Sequence, residues 1–227
     1  MTQTCWWRDD DAGRDDPKLE RLLALAARHE RPVAVAVVPD WLEAATVARL
    51  EASPWATVIQ HGVAHTDWGG AGDKKIELGG TVDRGWLDEA LVASRERLEA
   101  AFGERFVPVL APPWNNIATD VVTRLPSLGF TGLSCDPGPP GVVPLARVDA
   151  HVDAIAWHEG ARSKTAAELA HELGCAREAA GDAPVGLLTH HLVVSEAGWD
   201  GLDQVLGPGQ DGHDVTWADV RELFEAR

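Results

Sequence analysis

Two histidines four residues apart are the side chains whose spacing most directly suggests chemistry. His61 and His65 follow a short apolar run, and Gly62 between them allows the backbone to turn. If Gly62 opens a helical turn, both imidazoles project from one face and can reach one metal ion at roughly 2.0–2.1 Å. An exposed helix face or two core histidines would show the same spacing, so a metal site requires at least a third ligand.

Three consecutive aspartates near the start of the chain supply a candidate for that ligand. A strand-like run, residues 4–7, leads through Arg8 into Asp9, Asp10 and Asp11. Such a cluster is often a solvated loop, because adjacent carboxylates repel one another. Its position at the end of a predicted strand favours a site, since neighbouring residues there point in different directions. One aspartate can then bind the metal while its neighbour faces the substrate.

The remaining pattern predicts that strands and helices alternate along the chain. Continuous apolar runs are typical of strands buried on both faces of a parallel sheet. The predicted strands cover residues 4–7, 33–38, 57–60, 106–110, 131–135, 148–157 and 185–189. The predicted helices cover residues 17–29, 40–52 with Asp40 as N-cap, 85–102, 118–128 and 165–179. We expect one domain, residues 1–227, with a Pro/Gly-rich loop at 137–141 and two amphipathic segments, 202–206 and 217–224, packing on the outside.

Polar side chains stand at the ends of several of these strands. Besides the aspartates and the histidine pair, Trp114 and Asn115 follow the fourth strand, and His190 and His191 follow the last. In α/β barrels the carboxyl ends of the strands form the face where catalytic sites are built. We therefore expect these residues to meet, beside a loop formed by the glycine- and charge-rich residues 69–75.

The segment 148–157 carries polar residues in alternation. Asp149, His151 and Asp153 fall on one face of the predicted strand. Three polar groups on one strand face are expected where that face lines a polar cavity. At least one of them should therefore contact the site.

Composition excludes several classes of function. The net charge of -16 opposes nucleic-acid binding, which requires a basic patch, and it also disfavours acidic substrates. No apolar run approaches the roughly 18 residues that a membrane span needs, so we expect no membrane partner. The first residues lack a basic region followed by an apolar core, which predicts a cytoplasmic location. Three widely spaced cysteines predict neither a disulfide framework nor a thiolate metal site, and we expect all three to be buried.

The motifs and their order resemble the polysaccharide deacetylase family, also called carbohydrate esterase family 4 or the NodB homology domain. The resemblance spans residues 5–191 and rests on four motifs: a strand ending in paired aspartates, His-x-x-x-His, a Pro-aromatic segment at Pro113 and Trp114, and Leu-x-His ending at His190. It implies a distorted (β/α) barrel of about seven strands. It also implies a metal-dependent hydrolase that removes an acetyl group from an N- or O-acetylated carbohydrate.

The resemblance further implies a role for each motif. Asp11, His61 and His65 would hold a divalent ion, zinc in the first place, with cobalt, nickel or iron as alternatives. Asp10 would act as general base and His190 as general acid. This register places Ala12 where the family has glycine; the other register uses Asp9 and Asp10. Substrate contacts are expected from Pro113, Trp114, Asn115, His151, Asp153 and His191.

One departure from the family pattern leaves the function open. The arginine that holds the catalytic aspartate in the family is Ala111 in this chain, and Arg8 or the segment with His151 and Asp153 is a candidate substitute. The alternatives are an amidohydrolase acting on a C–N bond of a small metabolite and a non-catalytic carbohydrate-binding barrel. The expected cytoplasmic location favours the metabolite, and Ala111 favours the binding protein. The sequence gives no indication of oligomeric state.

Overall fold

The computed structural model describes residues 3–137, 145–207 and 215–224. From residue 138 onward, the expected Pro/Gly-rich loop lies outside these ranges. The strands are β1 (Gln3–Ala12), β2 (Val33–Val37), β3 (Ala56–His61), β4 (Phe106–Ala111), β5 (Gly132–Leu133), β6 (Ala146–Arg147), β7 (Ala150–Asp153), β8 (Ile155–Ala156), β9 (Arg162–Ser163), β10 (Val185–Thr189) and β11 (Val215–Trp217). The helices are α1 (Pro17–His29), α2 (Ala44–Ala52), α3 (Arg84–Phe102), α4 (Thr119–Val122), α5 (Ala166–Ala180), α6 (Glu196–Leu206) and α7 (Val220–Phe224).

One curled parallel sheet organises the molecule. Its strands run in the order β6-β5-β4-β3-β2-β1-β10-β7, and β11 pairs with β1. The two ends of the sheet approach each other where the Ala150 N–H donates to the Cys135 carbonyl at 2.9 Å. The predicted distorted (β/α) barrel is therefore confirmed. Among the described residues this sheet has nine strands rather than about seven, and β8 and β9 form a separate antiparallel pair.

Strand β2 shows how a continuous apolar sequence becomes a central strand. Its valines belong to the outer core, together with Leu19 and Leu22 of α1. Its alanines belong to the inner core, together with Trp6 and Ile59. Because side chains alternate along a strand, both faces are buried. The small alanines leave room for the indole of Trp6 inside the barrel.

Helix boundaries agree with the sequence where capping is strong. Helix α1 covers the predicted residues 17–29, and the Asp16 carboxylate accepts the Lys18 N–H at 2.7 Å. Helix α5 begins after Thr165, whose side chain and that of Glu168 form a reciprocal capping box. Both helices therefore carry their start signal in the sequence.

Two predicted helices are wrong in extent, and proline explains both. The helix predicted over 40–52 begins only at Ala44, because Pro39 starts a 3-10 turn that contains Asp40. Asp40 does not cap α2; its N–H donates to the Val63 carbonyl at 3.0 Å. The helix predicted over 118–128 stops at Val122 and resumes as a 3-10 turn around Pro126, which lacks an N–H and disfavours helix in the residue before it.

The C-terminal segment enters the barrel instead of packing outside it. Residues 202–206 lie at the end of α6, but residues 215–217 form β11 and extend the sheet beside β1. Val220 and Phe224 of α7 belong to the inner core with Trp6. A Cβ built on Gly132 would lie 2.2 Å from the Phe224 ring, so the glycine makes the space that the ring occupies. The expectation of an external segment over 217–224 was wrong.

Two expectations drawn from composition can also be compared with the fold. Within the described ranges, no helix combines the length and the apolar character needed to cross a bilayer. Cys5 and Cys135 are buried as expected, but Cys175 is exposed on α5.

Candidate active site

A cavity of about 830 Å³ opens at the carboxyl ends of the parallel strands. It brings together eight of the side chains singled out by the sequence: Asp10, Asp11, His61, His65, Trp114, Asn115, Asp153 and His190. Pro113, His151 and His191 do not line it. The wall also includes Lys74 and Lys75, from the 69–75 loop expected beside the site, and Trp157, at the end of the segment 148–157. Asp136 and His158 line it as well, and the sequence did not single them out.

A bulge in β1 turns two adjacent carboxylates into the cavity. The strand does not end at residue 7 as predicted but continues to Ala12. Its pairing with β2 shifts between Asp9 and Ala12, and Asp11 has a φ of 69°. A regular strand would send Asp10 and Asp11 to opposite faces, whereas the bulge re-aims one of them. Both carboxylates therefore reach the same space.

Asp11, His61 and His65 form a cluster with the composition of a metal site. The Asp11 Oδ1 atom lies 3.3 Å from His61 Nε2 and 3.2 Å from His65 Nε2. One potential ligand atom from each residue lies within 4.8 Å of the others. On the opposite side of its ring, His61 Nδ1 donates to the Ala111 carbonyl at 2.9 Å, which leaves Nε2 free to bind.

The protonation of this cluster favours a bound cation. Burial would raise the pKa of Asp11, but the contacts with His61 and His65 hold it well below its usual range. Burial would likewise lower the pKa of His61, whereas the charges of Asp10 and Asp11 raise it. The Asp11 Oδ1 atom is buried and receives no hydrogen bond from any described residue. One carboxylate and two imidazoles fit a first-row divalent ion, which would take the place of a proton.

Glu77, rather than a helical turn, shapes the histidine loop, residues 61–66. The sequence suggested a helical turn here. Gly62 and His65 both have a φ of 58°, so the loop is not helical. The buried Glu77 carboxylate accepts N–H groups from Val63, Ala64 and Thr66 at 3.0, 2.8 and 3.0 Å. A Cβ at Gly62 would lie 1.9 Å from this carboxylate, so only glycine fits. No sequence signal distinguished Glu77 from other acidic residues.

Two tryptophans enclose His65. The ring centroids of Trp114 and Trp41 lie 4.4 and 5.4 Å from that of His65. The Arg14 guanidinium stacks on Trp41, with its central carbon 4.3 Å from the ring centroid. Like Asp11 and His65, Trp114 and Asn115 have a left-handed backbone conformation; their φ angles are 54° and 47°, respectively. The ring of His65 is thus held by packing as well as by its loop.

Arg8 contacts Asp10, the aspartate that lacks an arginine partner at position 111. The Arg8 side chain is fully buried, with Nε 2.9 Å from Asp10 Oδ1 and Nη2 3.0 Å from Oδ2. Its other contacts are Asn115 Oδ1 at 2.6 Å and the hydroxyl and carbonyl of Ser134 at 2.8 and 2.9 Å. A planar guanidinium with several fixed partners orients the carboxylate that it contacts. Position 111 contributes only its backbone carbonyl, to His61.

His190 lines the same cavity as Asp11, His61 and His65. Its Nε2 lies 4.0 Å from Asp10 Oδ2, and its Nδ1 lies 3.7 Å from Asp153 Oδ1. The other oxygen of Asp153 accepts the indole N–H of Trp157 at 2.7 Å, and the Trp157 ring meets His190 edge-on. Burial would lower the pKa of His190, but Asp153 and Asp10 raise it to about 9. The imidazole is therefore a proton donor at neutral pH.

Asp9 and His191 form a separate buried pair behind the cavity. The Asp9 carboxylate accepts the Thr189 hydroxyl at 2.6 Å and the His191 N–H at 3.0 Å, and it lies 2.5 Å from His191 Nδ1. Asp9 thus points away from the cluster, and the geometry brings Asp10 and Asp11 to the cavity rather than Asp9 and Asp10. His191, expected to contact substrate, is 1% exposed and bound to Asp9 instead.

Two further predicted substrate contacts lie elsewhere. His151 Nδ1 accepts the Gly186 N–H at 3.1 Å, which turns its ring towards the start of β10 and away from the carboxyl ends of the strands. Pro113 is buried beneath the histidine loop, where its ring lies against Gly62. Asp149 binds the Arg147 guanidinium and the Cys135 N–H, so Asp153 alone of the three alternating polar residues reaches the cavity.

Comparison of the sequence with protein-family models and with curated proteins gives no match. Solved structures do match. A candidate polysaccharide deacetylase from Mycobacterium smegmatis is 14% identical, with a TM-score of 0.73 over 99% of this chain and 89% of that chain. A family 4 carbohydrate esterase from Streptomyces lividans, in complex with acetate, is 11% identical, with a TM-score of 0.65 over 95% of this chain and 92% of that chain.

A third similar structure is a carbohydrate esterase family 4 pseudoenzyme from Bacillus anthracis. It is 14% identical, with a TM-score of 0.65 over 99% of this chain and 66% of that chain. Identities this low establish the fold and leave the activity open. The chain therefore has the fold of the carbohydrate esterase family 4 polysaccharide deacetylases, as a divergent example whose resemblance was carried by its motifs.

Proposed function

We propose that the chain is a metal-dependent hydrolase that removes an acetyl group from an N- or O-acetylated carbohydrate. The observation that carries this proposal is the placement of Arg8 against Asp10. A buried guanidinium 2.9 and 3.0 Å from the carboxylate supplies the support that Ala111 does not. Asp10 in turn adjoins the metal-ligand cluster of Asp11, His61 and His65 in one cavity.

The residues of the cavity divide the chemistry among them. A divalent ion held by Asp11, His61 and His65, with zinc as the first choice, would supply Lewis acidity towards an acyl oxygen and acidify its bound water. Asp10 accepts the proton of the attacking water, and Arg8 holds the orientation of its carboxylate. His190 donates a proton to the departing nitrogen or oxygen, which its pKa of about 9 allows. Trp114 and Asn115 form the wall against which the acetylated group lies.

The similar solved structures support the substrate class. They include a peptidoglycan N-acetylglucosamine deacetylase and an esterase complexed with acetate. An amidohydrolase acting on a small metabolite would use the same residues with another leaving group. A non-catalytic carbohydrate-binding barrel is the alternative favoured by the pseudoenzyme among the similar structures and by Ala111.

Acetate release by metal-loaded protein tests the proposal. The protein is stripped with chelator, reloaded with zinc, cobalt, nickel or ferrous iron, and supplied with 4-nitrophenyl acetate and N-acetylglucosamine oligomers. We expect acetate release that depends on the added metal. His61→Ala should lose both metal and turnover, and His171→Ala, on the outer helix α5, should lose neither. Metal-independent hydrolysis, or full metal content in His61→Ala, would contradict the proposed site, and sugar binding without acetate release would favour the non-catalytic alternative.

A further inference from the structure

Two adjacent lysines line the cavity of a strongly acidic protein. The sequence contains four lysines in all, and Lys74 and Lys75 both face the proposed active site. Acidic residues outnumber basic ones by 36 to 20, and most of the basic residues are arginines, so two of the four lysines at one cavity is an uneven distribution.

The backbone of this segment is anchored to the active-site loops. The Lys75 carbonyl accepts the Asn116 side-chain N–H at 2.9 Å, directly after the Trp114 and Asn115 wall. Both backbone polar groups of Ile76 are hydrogen-bonded: its N–H donates to the Asp67 carboxylate at 3.1 Å, and its carbonyl accepts the Trp68 N–H at 2.8 Å. The next residue is Glu77, which shapes the histidine loop. The same segment therefore positions the lysines and the metal ligands.

Among the described residues the Lys75 ammonium forms no close ion pair, although its charge interacts with the nearby Asp67 carboxylate. No carboxylate oxygen lies within 4.0 Å of it, whereas Lys164 Nζ lies 2.6 Å from Glu172. Lys75 Nζ instead lies 5.5 Å from the centroid of Trp114, whose other neighbour is His65 at 4.4 Å. Lys74 Nζ makes only a long contact with Asp136, at 3.9 Å. A cation held over an aromatic ring at the mouth of a cavity is available to a ligand.

The acidic residues of the cavity are largely committed to other partners. Asp10 is paired with Arg8, Asp11 faces the two imidazoles, and Asp153 accepts N–H groups from Trp157 and Ile155. The fourth acidic residue of the wall, Asp136, lies 3.9 Å from Lys74. A divalent ion would add two positive charges to the same space. The remote surface charges that make the protein acidic are screened over about 8–10 Å at physiological salt. The charge near the substrate therefore differs from the charge of the whole molecule.

We propose that the acetylated substrate carries an anionic group, a carboxylate or a phosphate, and that Lys75, assisted by Lys74, binds it at the cavity mouth. This inference rests on the proposed hydrolase function and names its substrate class. It reverses the expectation, drawn from net charge alone, that acidic substrates are disfavoured. A monodentate ammonium contact suits both anions, so the geometry does not choose between them.

Matched pairs of sugars test the anion preference. N-acetylglucosamine is compared with N-acetylglucosamine 6-phosphate and with N-acetylmuramic acid, which adds a carboxylate. We expect the wild-type protein to show a higher kcat/KM for at least one charged sugar, and the pair that differs most identifies the anion. Lys75→Gln should raise KM for that sugar roughly 10-fold, the effect of one charge-assisted contact, with little change in kcat. Lys164→Gln is the matched control and should change neither constant.

Equilibrium binding separates this inference from the proposed function. Calorimetry with zinc-loaded Asp10→Asn measures affinity for the same three sugars without turnover, so an inactive protein still reports its preference. Tighter binding of a charged sugar that Lys75→Gln removes supports the anion site even if no acetate is released. The inference would be overturned if charged and neutral sugars bound with equal affinity, or if neither charged sugar bound. It would also be overturned if Lys75→Gln lowered the affinity for all three sugars equally.

Discussion

Arg8 and Asp10 form the contact on which the proposed chemistry of the cavity depends. The arginine is buried without solvent, and its guanidinium spans from Asp10 to Asn115 and Ser134. Of the two candidate substitutes for the arginine missing at position 111, Arg8 is the one that contacts Asp10. The function of a side chain can thus be supplied from another strand.

The assignment of the three aspartates makes a sharp prediction. Asp11→Asn should lower metal content, because Asp11 Oδ1 faces both histidines. Asp10→Asn should keep the metal and lose turnover by roughly 10²–10⁴-fold, the usual contribution of a general base. Asp9→Asn should keep both, since Asp9 faces His191. Metal analysis and acetate release on the three variants decide it, and a base phenotype in Asp9→Asn would mean that the register is one residue off.

The environment of His190 predicts a pH dependence. A general acid must be protonated, so kcat/KM for an amide substrate should fall as the pH rises through about 9, the pKa of His190. Asp153→Asn removes a charge that raises this pKa, so the falling limb should move to lower pH. Glu159→Gln, an exposed neighbour of Trp157, should not move it. Rates measured from about pH 6 to about pH 10 are the test, and an unmoved limb in Asp153→Asn would exclude His190 as the acid.

The histidine loop illustrates how a correct spacing can have an unexpected cause. The four-residue interval of His61 and His65 predicted shared ligation, and the geometry brings the two rings together. The expected helical turn is absent, because Glu77 binds three N–H groups of the loop. That contact joins residues more than ten positions apart, and periodicity within a short window does not register it.

Glu77 should therefore control metal affinity without touching the metal. Glu77→Gln replaces one acceptor oxygen by an amino group that faces N–H donors. We expect metal affinity to fall roughly 10–100-fold, as is typical when a residue that supports the ligands is changed. Asp73→Asn, in the adjacent loop, is the matched control. Competition with a chelator measures the effect, and an unchanged affinity in Glu77→Gln would show that the loop holds its shape without this carboxylate.

Helix α7, at the end of the described chain, packs in the inner core of the barrel. Alternating strands and helices predicted the barrel, since each unit carries its own pattern of apolar residues and caps. The destination of residues 215–224 was not predictable in that way, because a short amphipathic segment fits an outer groove as well as a barrel interior. Gly132 and the alanines of β2 create the space for it, and they lie far from it in the chain.

Removing the ring that fills this space should destabilise the whole barrel. Phe224 is 5% exposed and packs in the inner core. Phe224→Ala should lower the free energy of unfolding by about 3–5 kcal/mol, the usual range for a buried phenylalanine. Glu222→Ala, exposed on the same helix, should change it by less than about 0.5 kcal/mol. Urea denaturation measures both, and equal effects would place α7 outside the core.

The left-handed residues of the cavity set a limit on how stable this barrel can become. Six described non-glycine residues have positive φ, and four of them surround the cavity: Asp11, His65, Trp114 and Asn115. Each such conformation costs on the order of 1–3 kcal/mol. Selection or engineering for thermal tolerance would therefore favour glycine at these positions, where the side chains carry the proposed functions. Resistance to heat and catalytic competence compete for the same four positions, and stabilising changes that spare activity must come from elsewhere in the sheet and helices.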